Sequence, residues 1–183
     1  MAVTDTARPA PQATGATIPE GSTAQWRDKK RYLWLMGLVV PSLGFAAWGH
    51  VELTGLSLFW YLGPIVVFIT VPAIDLIAGL DRSNPPDDVI EALENDKYYR
   101  WITYLFLPIQ YAGFLGAMAV VGGWDYFGLL ADQPLSMLDK VGLAVSIGCI
   151  GGIGINTAHE LGHKKESHER WLSKVALAQS FYG

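Results

Sequence analysis

The stretch VGLAVSIGCIGGIGINTAHELGH, residues 141–163, runs from an apolar, glycine-rich segment straight into two histidines four residues apart. No charged side chain falls between Val141 and Ala158. About 20 such residues in a helix cross the ~30 Å hydrocarbon core of a bilayer, so the segment reads as a membrane span. If the helix continues through the motif, His159 and His163 stand one turn apart on one face, where they can grip a single metal ion. Asn156 and Glu166 fall on that face too, whereas His168 points away unless the helix breaks.

Working outward, the run containing this stretch extends over about 135–158, and three more apolar runs cover about 32–50, 56–80 and 101–121. Pro41, Pro64, Pro72 and Pro108 lie inside them, which neighbouring helices can tolerate by sheltering the freed carbonyls. The chain of 183 residues is 51% hydrophobic and only 16% charged, against about 25% charged in a soluble domain. An all-α polytopic membrane bundle is therefore expected. A net charge of −4 leaves no basic surface for nucleic acid. The one cysteine, Cys149, permits no disulfide within the chain and no CxxC pair. Residues 1–25, rich in Ala, Thr and Pro, are expected to form a disordered tail ahead of a membrane domain at 26–183.

Basic residues set the orientation. Five of the thirteen Lys and Arg precede the first run, three lie between residues 81 and 100, and four follow His159. Lys140 is the exception, so twelve share one side, expected to be cytoplasmic, with both chain ends facing it. In the connection between the second and third runs, a turn at 84–86 is expected to lead into a short helix from about Asp87. Asp87 and Asp88 then occupy its first turn and Lys97 and Arg100 its end, as suits the helix dipole.

The motif supports more than one chemistry. His159-Glu160-Leu161-Gly162-His163 is literally the HExxH of zinc hydrolases, in which the glutamate activates water. That makes a membrane-embedded HExxH zinc metalloprotease a rival, although such a site needs a third ligand. Plain interfacial histidines are a third reading. Likewise Asp75 can simply reach to water, the glycines at 148, 151, 152 and 154 can serve helix packing, and Trp60, Trp101 and Trp124 can anchor span ends.

Five stretches in order, DKKRYLWLMGLVVP (28–41), IDLIAGLDRSNPPDD (74–88), YYRWITYLFLPIQY (98–111), NTAHELGHKKE (156–166) and RWLSKVALAQSFYG (170–183), resemble the integral-membrane alkane 1-monooxygenases. These are non-haem diiron relatives of membrane fatty-acid desaturases. The resemblance implies a bundle of six helices, of which four are present here, and a cytoplasmic histidine-box helix at about 159–180. It makes His159 and His163 iron ligands of a diiron centre completed beyond Gly183, with the chain an N-terminal part that is inactive alone. Glu160 and Asn156 become candidates for supporting those ligands. The implied reaction is terminal hydroxylation of linear alkanes to primary alcohols with O2, using electrons from rubredoxin and rubredoxin reductase, in the inner (plasma) membrane. Val67 corresponds to a position limiting chain length and Ile153 to another pocket position. A substrate tunnel along the fourth run would pass Gly148 and Gly152, which leave room. His168 departs from the family, where an apolar or aromatic residue is expected.

Overall fold

The computed structural model of the chain describes residues 27–79, 85–124 and 135–180. The expected tail at 1–25 lies outside them, as do the first residue of the turn at 84–86 and most of the connection before the fourth run. Among the described residues there is no strand. Four helices are long and apolar enough to cross a membrane: α1 (Arg31–Thr54), α2 (Ser57–Ala78), α4 (Lys97–Val121) and α5 (Met137–Gly162). Two shorter amphipathic helices, α3 (Asp87–Glu94) and α6 (Ser167–Ala178), complete an all-α polytopic bundle.

The helix ends follow local chemistry. The chain leaves α1 through Gly55, whose φ of 69° suits a residue without Cβ and whose N–H reaches Val51 O at 2.7 Å. α5 starts with a capping box, Ser136 Oγ accepting from Asp139 N while Ser136 N donates to the Asp139 carboxylate.

Two sequence expectations need correction at helix ends. Lys97 and Arg100 do not close the short helix begun at Asp87. That helix stops at Glu94, and Asp96 caps a new one by accepting from Tyr98 N at 2.8 Å, so both cations sit in the first turn of α4. The histidine-box helix expected at about 159–180 is likewise not continuous. α5 ends at Gly162, residues 163–166 turn, and α6 folds back. The turn lets α6 bury Glu169, Ser173 and Ala176 against α4 and α5, which a straight extension would leave in solvent.

α2 is the irregular span. It runs from 3-10 geometry through a short α segment into a π turn at Val66–Thr70 before resuming α geometry. Val71 N donates to Val66 O, five residues back. Pro72 accounts for the widening, since it has no N–H for the carbonyl of Phe68 and its ring would crowd that oxygen. Past this point α2 stands apart, with Phe68, Ile69, Leu76 and Ile77 all exposed.

Its first half, by contrast, lies hard against α5. A Cβ on Gly63 would sit 2.6 Å from Ser146 Cα, and one on Gly142 would meet the Tyr61 ring at 2.5 Å. Buried Ser146 donates to Trp60 O at 2.6 Å and accepts from Gly63 N at 3.1 Å. Small residues thus let the backbones approach until a hydroxyl can tie them together. Trp60, expected as an interfacial anchor, is 1% exposed and packs with Ala47, Val120 and Leu143. Trp101 and Trp124 do remain exposed. A second cluster of Leu107, Ala158, Leu161 and Ala176 lies at the other end of the bundle, beneath the histidine motif.

Candidate metal centre

His159 lies in the last turn of α5, and His163 is its C-cap, with a backbone N–H bonded to His159 O. The four-residue spacing puts both imidazoles on one face, and their rings meet nearly perpendicular, centroids 4.4 Å apart. Their Nε2 atoms stand 3.1 Å from each other, and both residues are exposed.

That separation suits one metal ion. With metal–nitrogen bonds of about 2.1 Å, nitrogens 3.1 Å apart subtend roughly 95° at a shared ion, near the angle between adjacent octahedral donors. Imidazole donors suit iron, copper, nickel and zinc alike. The carbonyl end of a helix adds a field that favours a cation. No group of three or more His, Cys, Asp or Glu converges there among the described residues. The pair is thus a partial ligand set.

The other sequence candidates divide between two faces of α5. Gly148 and Gly152 share the histidine face, where a Cβ on either would meet nothing within 4 Å. Ile153, Asn156 and Glu160 lie roughly a third of a turn or less round the helix, at about 100° per residue. They line a cavity of about 1440 Å³ between α1, α3, α4 and α5. Its depth is apolar, with Gly37, Val40 and Phe106, and its mouth charged, with Lys30, Arg100 and Lys164. Val67 is half-buried in the π turn of α2 and is not among the residues lining that cavity.

The turn after His163 alters one expectation. Glu166 leaves the histidine face to become the N-cap of α6, where its Oε1 accepts from Arg100 Nη1 at 2.9 Å. The Arg100 guanidinium holds the Glu166 carboxyl down from the usual 4.5 to about 2. His168 does not join the pair, despite the helix break. Its Nε2 instead lies 3.4 Å from Tyr104 Oη.

Sequence reasoning missed three residues beside the motif. Glu169, only 1% exposed, accepts a hydrogen bond from Tyr104 Oη and lies 3.6 Å from Arg100 Nη1. One signal was available. Glu169, Leu172, Ser173 and Ala176 repeat at helical spacing as the inward stripe of α6, with a carboxylate in an otherwise small or apolar series.

Set beside known proteins, the chain is 39% identical over 156 residues to alkane 1-monooxygenase 1 of Alcanivorax borkumensis, covering 85% of this chain and 36% of that one. To the alkane 1-monooxygenase of Ectopseudomonas oleovorans it is 38% identical over 162 residues, 88% of this chain and 38% of the other. To that of Acinetobacter baylyi it is 37% identical over 158 residues, 85% and 36% respectively. The chain belongs to the alkane monooxygenase family. It spans 36–38% of the length of these relatives. No family model matches it.

Proposed function

We propose that the chain forms part of an alkane 1-monooxygenase and supplies two histidine ligands to its iron. The observation carrying the proposal is the His159–His163 pair, its Nε2 atoms 3.1 Å apart, in a chain of this family. Two neutral imidazoles fit iron, and they leave most positions of a diiron centre to other donors. The reaction is insertion of one atom of O2 into the terminal C–H bond of a linear alkane, giving a primary alcohol and water, with electrons from rubredoxin and its reductase. When bound, iron supplies the activation of O2.

This chain's own residues would position the reactants. His159 and His163 hold the metal at the carbonyl end of α5. The open surface at Gly148 and Gly152 gives an apolar chain a path along the same face toward the imidazoles. Val67 and Ile153 set the size of the substrate that fits. Asn156 and Glu160, exposed beside the pair, orient imidazole or solvent by hydrogen bonds. The motif lies on the cytoplasmic side of the inner membrane, within reach of a soluble electron donor, as the clustering of basic residues supports.

The test is made in a complete enzyme containing this chain. His159→Ala or His163→Ala should abolish alkane hydroxylation and lower the iron content, whereas His168→Leu should change neither. Full activity in both alanine variants would reject the ligand assignment. Zinc-dependent peptide hydrolysis lost in Glu160→Gln would instead establish the protease reading.

A further inference from the structure

Glu169 is a buried carboxylate in the otherwise small or apolar inward stripe of α6. It is 1% exposed on a short, polar helix, and its Oε2 has no hydrogen-bond partner among the described residues. Replacing a whole buried ion pair by apolar residues is often neutral or stabilising, whereas removing one partner is costly, so such a pair is weak evidence of a stabilising role. Its partners point to another purpose. Arg100 uses each arm of its guanidinium: Nε donates to Glu94 O at 3.0 Å, Nη2 to Asn95 Oδ1 at 3.0 Å, and Nη1 to Glu166 Oε1 at 2.9 Å. Nη1 also lies 3.6 Å from Glu169 Oε1, which takes the Tyr104 hydroxyl proton in a hydrogen bond. A planar fork filled in this way has little freedom to move.

The fork grips the chain close to the imidazoles. Glu166 follows His163 by three residues, at the end of the turn that joins α5 to α6. One helical turn past Glu169, Ser173 Oγ donates to Ala158 O at 2.6 Å, beside His159. A Cβ on Gly162 would lie 3.1 Å from the same hydroxyl, so α6 and the last turn of α5 are in close contact. A shift of the α6 N-terminus would therefore pull on the residue that caps α5, which is His163.

We propose that Glu169, held by Arg100 and Tyr104, is a positioning residue that fixes the separation of the His159 and His163 imidazoles for metal binding. The inference rests on the ligand reading of those two histidines. Partners that orient metal ligands typically change metal affinity 10–100-fold when removed.

The experiment titrates cobalt(II) alone into the metal-free complete enzyme containing this chain, in detergent, reading visible absorption for binding and thermal unfolding for stability. Wild type should bind through the pair and His163→Ala should bind far less. If wild type shows no binding, or His163→Ala binds as well as wild type, the ligand reading itself falls. Glu169→Leu should weaken cobalt binding about tenfold and, by leaving the Tyr104 hydroxyl without its acceptor, lower the unfolding temperature. Glu169→Gln, which keeps an acceptor for Tyr104, should lose less. Within the His163→Ala background, Glu169→Leu should have no further effect. Unchanged affinity in folded Glu169→Leu, or an equal loss of affinity in Gly63→Ala, which disturbs packing away from the histidines, would overturn the positioning role. Should Glu169→Leu fail to fold, Arg100→Lys decides on the same two readouts, because it keeps the charge and loses the fork.

Discussion

Among single residues, Glu166 combines a half-exposed position with a strongly shifted carboxyl. Its folded pKa of about 2 lies below the usual 4.5, because Arg100 stabilises the charged form. The sign follows from linkage: the folded state binds this proton less readily than the unfolded state, so the contribution is complete above pH 4.5 and fades as pH falls toward 2. Comparing wild type with Glu166→Gln in thermal unfolding should show an advantage for wild type near neutrality that shrinks through this acid window. A constant difference across it would detach the shift from stability. The histidine pair was legible from spacing alone, because four residues is about one helical turn. Arg100 and Tyr104 were not, since their partners at 166 and 169 lie more than sixty residues away and meet them only through packing.

At the scale of elements, apolar runs announced the four long helices, and their ends were legible within a few residues. The two shorter helices were misjudged for different reasons. Asp96 is a strong cap just before an apolar run, a local signal that outweighs the dipole argument used for Lys97 and Arg100. The break at 163–166 has no comparable local signal, and is held by Arg100 and Ser173. Where elements touch, glycines carry contrasting expectations. Gly63→Ala drives a Cβ to within 2.6 Å of Ser146 Cα and 2.8 Å of its carbonyl oxygen, neither of which can step aside. Overpacking of this kind costs about 1–3 kcal/mol. Gly148→Ala meets nothing within 4 Å and should stabilise the helix by about 0.5–1 kcal/mol. Thermal unfolding of both variants measures the difference, and equal effects would mean that α2 does not rely on its close approach to α5.

For the whole molecule, the basic residues and the bundle agree on two distinct ends. The end of α1 and the starts of α2 and α5 share one apolar cluster, while the start of α4, the end of α5 and α6 gather at the other. Reporter fusions after Gly55 and Trp124 should give a signal opposite to those after Asn95 and Ser180. A cytoplasmic signal at Gly55 would overturn the four-span arrangement. The division of the core has a consequence of its own. Ala47, Trp60, Val120 and Leu143 form one cohesive unit, and Leu107, Ala158, Leu161 and Ala176 another. Such units open with separate free energies. Amide exchange should therefore resolve two protected patches that differ in rate, with Leu161 and Ala176 exchanging together and apart from Val120 and Leu143; a single shared rate would mean one cooperative body. Breathing confined to the histidine end would let an ion arrive or depart while the rest of the bundle stays shut.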